Sequence, residues 1–504
     1  MRCRFFAVLS LIWFASGCCR TKSVEAWLVD SLDQVFPDDP VGSKALKEAR
    51  FAAARRSNIS LQLALRSSIG IGDLNLDALA LAGPGIPIDR IEVRRVEYVV
   101  ATTNTPSGYR GMVLREAPAL FPDALLTSFP MTVEKNKTRS VWITIPIPAD
   151  QAPGRYDGVL RLRQGSEELS RIAYTLDVTP AIVPAEIPFD VAHRFALNDA
   201  YSQQFYRTQQ FSGQWWIIAG NIARFLAAHH QTFIPANPMD LVTVSAGGGA
   251  PRYDFSNFVR FVRMFESAGV RGSIDGGQLL ARGARRSDPL TTRIWTVEGG
   301  APQARRIAIN DAHTRPLLAG FYGELRRTLA ANGWENRYVQ GLLDSPNERE
   351  TEECGRWQAE IQRVMPSAGF VSPAPESGSF IDHPLLETRI LGWASFQRGV
   401  RGLLRWEGNR WSPDPFKDTQ PAIQDDSAFP PPGGAHLAYP NREGRTLFSS
   451  IRFEQARESV EDYALLAELS RKDAAKAQSL ASRMANAGEP AAFRLILREL
   501  LGSF

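Results

Sequence analysis

Polar and apolar positions alternate through the first third of the chain. Residues 60–65 (SLQLAL) and 140–147 (SVWITIPI) switch at nearly every step, and 155–163 (RYDGVLRLR) and 170–178 (SRIAYTLDV) continue the pattern. The segment 91–100 (IEVRRVEYVV) is rich in β-branched and aromatic residues. A period of two puts every second side chain on one face, as in a strand with one side on a core. Pro84-Gly85, Pro106 and Pro153-Gly154 punctuate the gaps. Short strands separated by turn signals predict a β-sandwich, assigned to 41–185. Pro180, Pro184 and Pro188 form a Pro-spaced linker that predicts a domain boundary.

Beyond that linker the rhythm changes. Apolar residues recur at helical spacing over 214–229, 255–268, 314–331, 350–364 and 450–471. Short apolar runs lie between them, at 269–274, 338–343 and 402–406. Alternating β and α units predict a (β/α)8 TIM-like barrel over 186–475, with 413–434 as a long loop. The segment 476–504 reads as a helical tail. The expected fold class is multidomain, all-β followed by α/β.

The first residues follow a different logic. Arg2 and Arg4 precede the apolar run 5–14 (FFAVLSLIWF), and Ala15, Ser16, Gly17 and Cys18 follow. Ten apolar residues are too few for a bilayer core, which needs about 20. The pattern predicts a secretory signal over 1–17 and a tether over 18–40. The A-S-G-C step resembles a bacterial lipoprotein box, which makes Cys18 the expected lipid attachment point and the envelope the expected location. Of the other cysteines, Cys3 falls in the signal, and Cys19 and Cys354 show no metal-type spacing. The six histidines form no HExxH pair. No metal is therefore expected, and with no nucleotide-binding glycine motif no organic cofactor is expected either.

Charge narrows the partners. The chain carries 58 Lys and Arg against 54 Asp and Glu, and only 8 of the basic residues are lysine. The two signs are interspersed, without the basic patch or tail of a nucleic-acid binder. An aromatic content of 10% suits a carbohydrate surface and a large core equally well.

The segment 392–466 is the most distinctive. A Trp-bearing stretch (Trp393) leads to an apolar run ending in Trp406-Glu407, then Asn409-Arg410-Trp411. Tyr439-Pro440 follows after a loop, then Ser450-Ile451-Arg452, Arg457 and Glu461-Asp462-Tyr463. This order resembles the C-terminal half of the catalytic domain of glycoside hydrolase family 123. The strand pair in 140–163 is similar to that family's N-terminal domain. The resemblance spans about 40–475 and implies a carbohydrate partner. It also implies removal of β-linked N-acetylgalactosamine from glycan ends with retention, the substrate's own acetamido oxygen attacking the anomeric carbon. In the family an Asp steadies that acetamido group, and the adjacent Glu of a D-E-P step protonates the leaving oxygen.

Here the step reads Asp344-Ser345-Pro346. A serine hydroxyl has no pKa near neutrality and cannot act as a general acid at useful rates. Three readings stay open. Glu348 or Glu407 supplies the proton; Asp344 itself acts as acid or nucleophile on another substrate; or the domain binds sugar without cleaving it. Asp344 and Glu407 are the expected catalytic residues. Ser345, Trp393, Trp406, Asn409, Arg410, Trp411 and Tyr439 are the expected sugar contacts. Arg452 and Glu461-Asp462-Tyr463 read as structural ion pairs on an amphipathic helix, and Asp275, after an apolar run, as a structural carboxylate that could line a pocket. Enzyme, glycan-binding lipoprotein and ligand-free envelope protein are the three classes the sequence leaves standing.

Overall fold

A computed structural model of the chain describes residues 24–109, 111–245, 250–283, 288–298, 301–343, 346–370, 379–405, 408–420, 430–484 and 486–504. The N-terminal part is built from ten strands: β1 (Glu25–Val29), β2 (Arg50–Arg55), β3 (Ser57–Ser67), β4 (Ile71–Ala78), β5 (Glu92–Ala101), β6 (Ala119–Leu126), β7 (Met131–Val133), β8 (Lys137–Ile147), β9 (Gly154–Gln164) and β10 (Glu167–Ile182). They form two five-stranded sheets, β1-β3-β8-β5-β6 and β2-β10-β9-β4-β7. The alternation in sequence sets which side chains face inward. Ile59, Leu61 and Leu63 of β3 lie opposite Ile145, Ile143 and Val141 of β8, and Tyr156, Leu160, Tyr174 and Leu176 come from the second sheet. Gly158 has a packing reason: a Cβ there would lie 2.4 Å from the buried Tyr174 ring.

The second part follows with β11 (Asp190–His193), α1 (Asp199–Tyr206), α2 (Gly213–Ala227), α3 (Pro238–Leu241), β12 (Thr243–Ser245), β13 (Arg252–Asp254), α4 (Ser256–Ser267) and β14 (Ile274–Gln278). Next come β15 (Thr291–Glu298), β16 (Ala301–Ala308), α5 (Thr314–Ala331), β17 (Tyr338–Gly341), α6 (Glu348–Val364), β18 (Gly369–Phe370), α7 (Leu385–Arg389), α8 (Leu391–Gln397) and β19 (Gly402–Arg405). The chain ends with β20 (Tyr439–Asn441), β21 (Thr446–Phe448), α9 (Ile451–Lys472), α10 (Ala474–Met484) and α11 (Pro490–Leu501).

Parallel strands run β14-β17-β18 in one sheet and β11-β19 in another. A parallel bridge from Ile234 to Ile274 and the bond from Thr232 N to Val191 O (2.9 Å) link the two. The result is an arc in which the last strand, β19, returns beside the first, β11. Among the described residues no pairing joins β18 to β19, so the closed eight-stranded barrel expected from the alternating pattern is corrected to an open arc. The sequence reading also missed a four-stranded sheet, β13-β12-β15-β16, beside that arc.

Helix α9 departs most from expectation. It reads as amphipathic, yet every residue from 451 to 466 is buried. One side faces the arc and the other faces the sandwich, and the polar residues are paired rather than solvated. Arg452 holds Asp123 of β6 through two 2.8 Å bonds, and Arg389 of α7 holds Asp462 through two 2.9 Å bonds and also touches Glu458. The C-terminal helices close the same seam. Phe493, Leu497 and Leu500 of α11 share a core with Ala54 of β2 and Leu465 of α9, and Arg494 pairs with Asp30 at 2.7 and 2.9 Å.

Candidate active site

Strands of the arc deliver their C-terminal ends to one place. Arg194 directly follows β11 and grips Asp275 of β14 with two bonds, Nε to Oδ2 at 2.6 Å and Nη2 to Oδ1 at 2.9 Å. The Gly277 amide gives Oδ1 a further bond at 3.0 Å. This bidentate geometry fixes the guanidinium plane. Gly277 has φ +67°, and a Cβ there would lie 2.8 Å from the Asn237 amide nitrogen. Only glycine takes that turn without strain.

The end of β17 closes on the same point. A Cβ on Gly341 would stand 2.8 Å from Gly277 O and 3.0 Å from Arg194 Nη2. Gln340 locks the junction from beneath. Its Oε1 accepts from the hydroxyls of Tyr338 (2.6 Å) and Tyr322 (3.0 Å). Its Nε2 donates to Gly277 O (2.9 Å) and Gly341 O (2.8 Å). Burial pushes both tyrosine hydroxyls above their ordinary value, so they stay protonated and donate.

The segment after β19 arrives from the other side. Gly408 N donates to Arg194 O at 2.7 Å. The Asn409 side chain accepts from Ala196 N and donates to Ala196 O, both at 2.8 Å. Gly341, three residues before Asp344, and Gly408, directly after Glu407, thus both stand beside Arg194. Asp344, Ser345, Trp406 and Glu407 themselves lie outside the described residues, as does Cys18. In front of the Arg194–Asp275 pair is a cavity of about 140 Å³, whose polar lining also includes Asn198, Gln210 and Asn237.

The other expected sugar contacts fall elsewhere. Trp393 is fully buried, its indole N–H bonded to Asp462 Oδ2 at 2.8 Å. Tyr439 is fully buried against Phe416, and its hydroxyl donates to Asp123 Oδ2 at 2.5 Å. Trp411 is buried edge-on to Phe205 and donates to Ala438 O at 2.7 Å. Asn409, also buried, spends both ends of its amide on Ala196. These four therefore hold the wall and the domain seam rather than face the cavity: a ring with no exposed surface cannot stack on a sugar. Arg410 is half-buried on the same loop, its amide bonded to Ala435 O at 3.0 Å.

The sequence reading missed Arg194, Asn198, Gln210 and Asn237. Arg194 alone left a signal, a lone cation at the end of an apolar run. Asp275 was noticed but without its partner. Among the described residues no group of three His, Cys, Asp or Glu is placed to hold a metal ion.

Comparison with known proteins fits this architecture. Residues 38–164 match the glycoside hydrolase 123 N-terminal domain, and residues 369–469 match the glycoside hydrolase 123 catalytic domain. The chain is thus similar to the glycoside hydrolase 123 proteins in both of that family's domains, which supports glycoside hydrolysis as its general class of activity. A family 123 glycoside hydrolase from Clostridium perfringens, described for glycolipid glycan hydrolysis, has the same fold. It aligns at TM-score 0.67 and 14% identity, covering 95% of this chain and 96% of that one. A family 39 glycoside hydrolase from Bacteroides cellulosilyticus aligns at TM-score 0.24 and 12% identity over 73% of this chain and 58% of that one, too low to bear on the fold. No curated protein matches the chain.

Proposed function

We propose that the protein is an exported glycoside hydrolase that removes a terminal N-acetylhexosamine from a glycan, with the arc forming the barrel-like frame of its site. The observation that carries this reading is the convergence on Arg194–Asp275 of Gly341 at the end of β17 and Gly408 after β19, the strand ends that lead to Asp344 and Glu407, beside a cavity, in a chain that matches both family 123 domains. The C. perfringens protein's glycolipid glycan makes a glycolipid-borne chain a reasonable source of substrate. The signal-like start and Cys18 support export and lipid anchorage.

In this reading the substrate's acetamido oxygen attacks the anomeric carbon, and Asp344 orients and charge-stabilises that group. No enzyme nucleophile is needed. Ser345 cannot protonate the leaving oxygen, so Glu407 takes that role. General acid catalysis contributes about 10²–10⁴-fold, most of it when the leaving group is a poor one.

The test compares nitrophenyl N-acetyl-β-galactosaminide, other hexosaminides and furanosides with oligosaccharides carrying the same terminal sugar. Asp344→Asn should abolish turnover of both kinds. Glu407→Gln should spare the nitrophenyl substrate, whose leaving group needs no proton, and stop the oligosaccharide. A parent that turns over nothing, with activity gained in Ser345→Glu, overturns the reading in favour of the second. That second reading, a glycan-binding lipoprotein on a hydrolase scaffold, is favoured by Ser345 itself.

A further inference from the structure

A second cavity, of about 170 Å³, adjoins the first. Both are lined by Asn237, and Gly277 of one is followed in the chain by Gln278 of the other. Its polar lining is made of Asn237, Gln278, Thr291, Thr292, Arg293 and Arg306. The two arginines come from the hairpin β15–β16, whose register sets them directly opposite each other. Like charges in that position repel. Arg293 pairs with Asp240 of α3, whereas Arg306 has no acidic partner among the described residues.

Burial, with the charge of Arg306 added to it, draws the Arg293 guanidinium below its ordinary value. A structural role would set an acid across from Arg306, as β4 sets Asp77 between Arg161 and Arg163 of β9. Here the space beside the pair is open instead, and guanidinium, amide and hydroxyl groups line it. That set of donors matches an oxyanion, and a planar guanidinium fits a carboxylate or a sulfate with two bonds.

We propose that this cavity is an anion subsite that takes a carboxylate or sulfate ester on the sugar next to the one held at Arg194–Asp275, making acidic glycans the preferred substrate class. The proposal rests on the hydrolase reading for the neighbouring ring, but a subsite that only binds is measured separately.

The experiment titrates the full mature protein with three oligosaccharides sharing one N-acetylhexosamine end: neutral, uronic- or sialic-acid-bearing, and sulfated. Affinity is read by calorimetry and, in parallel, hydrolysis by product release. The parent should prefer an acidic glycan over the neutral one about tenfold or more. Raising salt should narrow the gap. Arg306→Gln should remove about tenfold of that preference and Arg306→Lys should restore part of it. Whichever acidic arm binds tighter identifies the anion.

Equal affinity for all three glycans overturns the proposal, and so does a preference that survives both Arg306→Gln and Arg293→Gln. Acid-selective binding without turnover keeps the subsite and rejects the hydrolase. Turnover without acid preference does the reverse. Binding of none of the three rejects both.

Discussion

Two regions use the same side chains for opposite ends. Along the seam between α9 and the sandwich, Arg452 spends its guanidinium on Asp123 and on the carbonyls of Ser379, Gly433 and His436, at 2.7–3.0 Å. At the strand ends of the arc, Arg194 and Asp275 form an equally short pair, but on one side the pair faces open volume. Residue type therefore does not separate scaffold from site. Leftover space does: the cavity left in the seam is about 20 Å³, whereas the strand ends leave a mouth of about 140 Å³. Buried charge in the seam is tolerated only because each ion is paired and hydrogen-bonded.

The largest expected effect sharpens this contrast from the open side. Asp344→Asn should lower kcat about 10²–10⁴-fold or more while thermal unfolding stays within a few degrees of the parent. An unchanged kcat removes Asp344 from the chemistry. Next in size is the closed side. Arg452→Met leaves the fully buried carboxylate of Asp123 without its guanidinium partner and should cost about 3–5 kcal/mol, read as a lower denaturant midpoint. Arg194→Met, at the mouth, should do the reverse and weaken glycan binding more than it lowers the midpoint. If the two variants lose stability equally, the distinction between packed seam and open mouth fails.

A smaller effect lies in pH. Burial opposes the charge on Glu454, but Arg457, Arg94 and His229 outweigh it and hold the carboxyl well below its usual range. Burial also draws His229 below 6.5. Both groups bind protons more readily unfolded than folded, so both remove stability as pH falls. The loss should begin below about 6.5 through His229 and continue below the carboxylate range through Glu454. Melting temperature followed from pH 7.5 to 4 checks this. His229→Gln should flatten only the upper part of the curve, and a curve that rises on acidification contradicts the assignment.

Much of the fold was legible because one physical rule governed it. Strands β3, β5, β8, β9 and β10 sit where period-two alternation put them, and one apolar face of β3, β8, β9 and β10 lies on a single core. The helices α2, α4, α5 and α6 follow the helical spacing in the same way. Legibility failed for the surroundings of α9, which is buried on all sides. In α9 the polar residues look solvent-facing because sequence does not reveal that Asp123, Arg94 and Asn58 wait across the seam, from 329 to 403 residues away. The hairpin β15–β16 was lost for another reason: its alternation, T-R-I-W-T-V, was present but had no place in a strict strand–helix rhythm. For the site, the strand-end carboxylate could be anticipated, whereas Arg194 and Asn237 gain meaning only from what stands opposite. Trp393 and Tyr439 show the converse, since an aromatic next to an acid marks a sugar platform or a sealed core with the same letters.

Tyr439 gives the smallest and most discriminating test of that ambiguity. Its hydroxyl shares Asp123 with Arg452, which already supplies two bonds to the carboxylate. Tyr439→Phe keeps the ring stacked on Phe416 and removes a single donor. Asp123 stays paired with Arg452, so the loss should be that of one hydrogen bond within an ion pair, about 1.5 kcal/mol. A sugar-contacting tyrosine would behave otherwise: its loss would raise KM and leave the denaturant midpoint alone, because an exposed hydroxyl contributes little to folding. The buried position predicts the opposite split, a lower midpoint with KM unmoved. Equilibrium unfolding and glycoside kinetics on one preparation measure both, and a raised KM would return Tyr439 to the site.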